Sequence, residues 1–242
     1  MIKQVLSVFV AFALTFVAPF EASSDQNNGT LRALNNQPSP QGRLIYSSDF
    51  AALDPKTWVI ELETPDNSSV YVNNNTLVLD TKGGVTVWLN KKLKGNLVIE
   101  YTRKVVIDNG SNDRLSDMNQ FWMATDPATS NLFTRKGKFS DYDNLSLYYA
   151  GIGGNHNSTT RFRKYHKGER ILLKEDKSQA KLLKPNHECQ VRTMIKDGTS
   201  SVWVDGVLYF EYKDPRALTE GYFGFRSTWS RQEIRDLRIY KL

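Results

Sequence analysis

From residue 44 to the last residue the chain is written in short runs that alternate apolar and polar side chains. They are rich in Val, Ile, Tyr, Phe and Trp and are broken by Gly, Asn, Asp and Pro. A period of two points one face of each run at a core and the other at water, as half-buried strands do. No helical period competes with it, so the expected class is all-β, a two-sheet antiparallel β-sandwich. The clearest strands are residues 76–80, 85–89, 97–106, 118–125, 145–152, 160–165, 187–196, 200–204 and 207–212, with a closing pair at 221–227 and 234–241. Lys196-Asp197-Gly198 and Asp205-Gly206 put Gly after Asp, where a tight hairpin needs positive φ, so residues 191–212 read as a three-stranded meander. Asp54-Pro55-Lys56-Thr57-Trp58 marks a turn, with Trp58 expected to cap the sandwich.

Lys3 and the apolar stretch over residues 5–18, too short to span a bilayer comfortably, predict a signal peptide over residues 1–24, with Ala22 and Ser24 supplying the small residues before the cut. No cysteine sits near that cut, so no lipid anchor is expected. Residues 25–43 carry Asn, Gln, Ser and Pro but few large apolar side chains, and predict a flexible tether. Residues 44–242 then form one domain, large enough for a single core. The expected product is secreted or periplasmic, monomeric, and not inserted in a membrane after cleavage. Its one cysteine, Cys189, excludes an intramolecular disulfide and reads as a buried, inert thiol. The net charge is +6 and survives loss of the leader, where Lys3 and Glu21 cancel. A basic exported chain meets acidic glycans more often than nucleic acid, so no nucleic-acid partner is expected.

The meander containing Val202-Trp203-Val204-Asp205-Gly206, followed by Leu218-Thr219-Glu220-Gly221-Tyr222-Phe223-Gly224-Phe225-Arg226 and a last strand, resembles the C-terminal half of concanavalin A-like jelly-roll domains. Within that superfamily, Asn119-Gln120-Phe121-Trp122, Gly153-Gly154-Asn155-His156-Asn157 and Thr160-Arg161-Phe162-Arg163 resemble the secreted bacterial domain of unknown function 6250, associated with polysaccharide utilisation. That resemblance implies a jelly roll over residues 44–242 and, by association, a polysaccharide or oligosaccharide partner.

Residues 118–165 concentrate the side chains that sugar recognition uses: rings to stack on pyranose faces, amides and guanidinium groups for hydroxyls and carboxylates. Expected binding residues are Gln120, Trp122, Arg135, Asn155, Arg163 and Tyr165, joined by Arg226 and Trp229 from a second rim. Alternation places Leu145, Leu147 and Tyr149 on one strand face, and Arg161, Arg163 and Tyr165 on one face of the next. The two arginines read either as an anion clamp or as ion-paired surface residues. His156 and Tyr149, with Arg161, supply the base, acid and charge neutraliser that β-elimination on a uronate needs. A non-catalytic lectin would use the same residue types. Hydrolysis by a carboxylate pair lacks the Glu-x-Asp-x-x-Glu strand motif, and Glu61 with Glu63 and Asp141 with Asp143 read as solvated pairs. No Gly-x-Ser-x-Gly elbow supports serine chemistry. His156, His166 and His187 show neither ligand spacing nor cysteine partners, so no histidine-bound metal and no cofactor are expected, and no acidic loop compels the calcium site that jelly rolls often carry.

Overall fold

The computed structural model describes residues 42–242. The predicted signal peptide and the tether up to residue 41 lie outside the described residues. Thirteen strands follow one another: β1 (Arg43–Ser48), β2 (Trp58–Leu62), β3 (Ser69–Asn73), β4 (Thr76–Lys94), β5 (Leu97–Val106), β6 (Met118–Thr125), β7 (Ser146–Gly153), β8 (Thr159–His166), β9 (Glu169–Asp176), β10 (Cys189–Lys196), β11 (Thr199–Val204), β12 (Val207–Lys213) and β13 (Glu220–Lys241). The hydrogen-bonded order is β12-β11-β10-β5-β13-β6-β7-β8-β9, with β4 and β1 also on β13, and β2 and β3 on β4. The pairing is antiparallel, and the all-β sandwich expected from the alternation is the fold observed.

The meander is β10-β11-β12, and both its turns have positive φ at Asp and Gly: 48° and 77° at Asp197-Gly198, 50° and 79° at Asp205-Gly206. That is the mirror-image turn whose twist matches flanking strands. Two of the expected strand pairs prove to be single long strands. Residues 76–80 and 85–89 are both β4, and 221–227 and 234–241 are both β13. β13 pairs with β6 over residues 222–226 and with β5 over residues 231–241, so it passes from one layer to the other. The switch occurs at a bulge between Thr228 and Ser230, with Trp229 at φ 45°. A bulge bends a strand and re-aims one side chain, and here it leaves Trp229 exposed at the corner.

The layers meet over aromatic side chains. Trp122 lies between Tyr148 and Phe162, at 5.6 and 5.4 Å between ring centres, and Phe162 reaches Phe210 of the meander at 5.9 Å. Trp58 is buried against Phe225 at 6.2 Å, as its capping role requires. Each such side chain contributes about 2–3 kcal/mol of burial. On the opposite face of β6, β7 and β8 sits a second apolar cluster built from Trp88, Phe121, Leu147, Tyr149 and Tyr165, and roofed by Leu132, Tyr142 and Leu145 from the segment between β6 and β7. Trp88 lies flat on Gly224, where a Cβ would come within 2.6 Å of the ring.

Three polar side chains fasten the roof, Glu61 and Arg226 buried and Arg135 half-buried. Glu61 of β2 accepts hydrogen bonds from the Trp88 indole (2.8 Å), the Tyr142 hydroxyl (2.9 Å) and the Arg135 backbone N–H (2.7 Å). Arg226 of β13 donates to the Gly137 carbonyl and lies over the rings of Phe139 and Tyr142. Arg135 donates to the carbonyl of Leu132 and pairs with Asp126 at 2.5 Å. The expected sugar-facing side of this sheet is therefore largely filled by the protein's own chain.

Candidate functional site

Beyond the edge of that roof a cleft of about 500 Å³ remains. Its floor is Asn119 and Tyr149, and its walls are Asn155 and His156 on one side, Phe139 on another, and Arg114, Asp117 and Thr228 toward the β13 corner. The parity of β6 and β7 explains the floor. Phe121 pairs with Tyr149 and Asn119 with Gly151, so these side chains share the face away from the sandwich core.

Tyr149 is nearly fully buried, its ring 5.7 Å from both Phe121 and Phe139, with the Arg163 guanidinium 5.6 Å from its centre. Its hydroxyl lies over Gly151, where a Cβ would sit 2.0 Å from the oxygen. Burial first, and the nearby Asp117 charge second, push the Tyr149 phenol well above its usual pKa, so it keeps its proton at neutral pH. Asn155 and His156 are exposed on a tight turn after β7, in which Gly153, Asn155, His156 and Asn157 have φ of 70°, 51°, 56° and 58°. Left-handed backbone at non-glycine residues costs about 1–2 kcal/mol each. The turn is held by the Asn157 amide, which donates to the Leu183 carbonyl (3.0 Å) and accepts from the Leu183 N–H (2.8 Å). Such strain kept at a cleft wall is characteristic of sites that position a side chain.

Across the cleft, Arg114 donates to the carbonyls of Trp229 (2.8 Å) and Thr228 (2.6 Å) and to the Asp117 carboxylate (2.8 Å), and lies 5.1 Å from the Trp229 ring. Asp117 also accepts from Ser116 at 2.6 Å. Asn119 is buried with one end of its amide toward Asp117 and its Oδ1 without a partner among the described residues. A buried acceptor of this kind is costly unless something hydrogen-bonds it.

The structure thus brings together Tyr149, Asn155 and His156, with Arg163 and Trp229 adjoining through Tyr149 and Arg114. It places the other expected residues outside the lining of the cleft. Gln120 and Trp122 point into the sandwich core, Gln120 bonded to Tyr101 and Thr193, because β6 runs with the opposite parity. Tyr165 is on the right face but sealed beneath Phe139 and Tyr149. Arg135 and Arg226 hold the roof. Arg161 is paired with Glu175 of β9 at 2.5 Å, the ion-paired surface role left open by the sequence. Glu61 is not half of a solvated pair but a buried acceptor whose pKa burial raises, and Asp143 pairs with Arg170. Arg114, Asp117, Asn119, Phe139 and Thr228 were missed. Asn119 was within reach, since it shares parity with Tyr149's partner Phe121. The others come from irregular or corner segments without a period to read.

Residues 79–237 match the model of a domain of unknown function, DUF6250. The chain belongs to this family. Among curated proteins no match is found. Among solved structures, a Bacillus subtilis protein of unknown function with a galectin-like fold superposes with a TM-score of 0.67 at 15% identity, covering 82% of this chain and 96% of that one. The carbohydrate binding module CBM66 from Bacillus subtilis gives 0.54 at 12% identity over 77% and 96%, and a Bacillus licheniformis β-glucanase 0.56 at 11% over 84% and 100%. At such identities the likeness establishes the fold, and the DUF6250 domain is a galectin-like, concanavalin A-like jelly roll.

Proposed function

We propose that this DUF6250 protein is exported and uses the cleft to act on a polysaccharide, with a uronate-containing, acidic glycan as substrate and β-elimination as the reaction. The observation that carries the reading is that a protonated, buried Tyr149 phenol and the His156 imidazole line one cleft whose floor includes the Asn119 amide. His156 takes the proton α to the uronate carboxylate, the C4–O bond breaks as the C4=C5 double bond forms, and Tyr149 gives its proton to the leaving oxygen. The Asn155 amide on the cleft wall and the neighbouring cations Arg114 and Arg163 offset the carboxylate charge that grows in the transition state. Hydrolysis by two carboxylates finds less support, because Asp117 is the one carboxylate among the described residues lining the cleft and is already engaged by Arg114 and Ser116. Jelly-roll neighbours that include a carbohydrate binding module and a glucanase support a sugar ligand.

The test is ultraviolet absorbance of unsaturated uronate during incubation with a panel of acidic and neutral polysaccharides. A rise confined to acidic glycans, lost in His156→Ala and Tyr149→Phe while glycan affinity stays within a few-fold, is the expected result. No rise on any uronate polymer overturns the elimination. Glycan affinity without turnover would make the protein a lectin, with the exposed Trp229 indole beside Arg114 as its platform.

A further inference from the structure

Outside the cleft, three unlike ligating side chains converge where β10 begins. His187 and Cys189 alternate along the chain, and Asp205 arrives from the turn joining β11 to β12. The His187 imidazole nitrogen, the Cys189 sulfur and an Asp205 carboxylate oxygen all lie within 4.8 Å of one another. His187 Nε2 and Asp205 Oδ2 are 2.7 Å apart, and the other Asp205 oxygen accepts the Gln190 backbone N–H at 2.8 Å. His187 and Cys189 are neighbours by strand alternation, and Asp205 joins them only through the register of the β10–β11 hairpin.

The His187–Asp205 ion pair has a third donor atom beside it, the buried Cys189 sulfur, whose S–H points at the His187 carbonyl 3.9 Å away. A tetrahedral zinc ion bound through S, N and O holds its donors roughly 3.2–3.6 Å apart. Reaching that spacing asks His187 and Asp205 to part by about half an ångström and to draw in on the buried Cys189 sulfur, since the three donor atoms now lie within 4.8 Å of one another. Both side chains are partly exposed, at 45% and 33%, and so have room to move. The Gln190 N–H fixes the carboxylate as an outer partner does in metal sites. Sulfur with imidazole selects a borderline transition ion over calcium or magnesium, which take oxygen donors.

We propose that His187, Cys189 and Asp205 form a binding site for a zinc-class divalent ion, with a fourth position open to water. Binding transfers the thiol proton to solvent and leaves the sulfur as thiolate.

Cobalt(II) added to the reduced protein is the direct probe. The expected result is one equivalent bound with thiolate-to-cobalt charge-transfer absorption and tetrahedral ligand-field bands, displaced by zinc. Cys189→Ser removes the charge-transfer band, and His187→Ala and Asp205→Asn weaken binding about 100-fold or more. Cys189 is the only cysteine, so zinc protection of the wild-type thiol against alkylation reads the same site without a variant. A spectrum typical of hydrated cobalt, or alkylation at the same rate with and without zinc, overturns the proposal. Neither readout depends on the glycan reading of the cleft.

Discussion

Burying Tyr149 carries its ring into an aromatic cluster while its hydroxyl opens on the cleft above Gly151. Removing that hydroxyl leaves the ring packing in place, so Tyr149→Phe is expected to change unfolding free energy by no more than about 0.5 kcal/mol, read by urea denaturation. Gly151→Ala is a different matter. Its Cβ would meet the Tyr149 oxygen at 2.0 Å and its ring carbon at 2.5 Å, in a place where the neighbours are already packed. Forcing the ring aside is expected to cost about 1–3 kcal/mol and to remove the glycan binding proposed for the cleft together with it. The pairing of a silent Tyr149→Phe with a damaging Gly151→Ala separates a hydroxyl kept for chemistry from a ring kept for stability, and equal losses from both would deny the distinction.

At the scale of elements, the roof over β6–β8 hangs on the Glu61 carboxylate, which receives three donors in a site that burial makes unfavourable for charge. Glu61→Ala leaves those donors without an acceptor and is expected to destabilise the protein by about 2–4 kcal/mol, with early proteolysis between β6 and β7. The pH dependence has a definite sign. A carboxyl whose folded pKa lies above its unfolded value near 4.5 binds its proton more tightly in the native state. Its contribution is fully present below pH 4.5 and is lost as pH rises through the raised pKa. Glu61→Gln, which cannot titrate, is expected to flatten that part of the melting-temperature profile; an unchanged slope would assign it to another group. The strands were legible because alternation survives wherever one face is buried, as in Cys189, Val191, Thr193 and Ile195 against Gln190, Arg192, Met194 and Lys196. The roof was not, since Phe139 and Tyr142 sit on a 3₁₀ turn whose apolar residues answer to a sheet the sequence does not display beside them. The same limit hid the parity of Gln120 and Trp122, because every residue from Met118 to Ala124 is buried and neither face of β6 looks polar.

For the molecule as a whole, the decisive fact is that β4 and β13 belong to both layers. Phe223 and Phe225 of β13 lie against β6, and Ile234 and Ile239 farther along the same strand lie against β5. A sandwich whose sheets were joined only by loops could lose one sheet first. Here the melting of either sheet pulls on a strand whose other half is hydrogen-bonded in its neighbour, and the core aromatics of both halves form one cluster. Unfolding is therefore expected to be a single transition. Phe223→Ala in one half and Ile239→Ala in the other should each cost about 2–5 kcal/mol. Each should shift tryptophan fluorescence and far-ultraviolet circular dichroism to the same lower midpoint. Midpoints that part company in Ile239→Ala, with the fluorescent half outlasting the meander, would show that the bulge at Trp229 uncouples the layers. The corner beside the cleft would then be a hinge between two separately stable sheets.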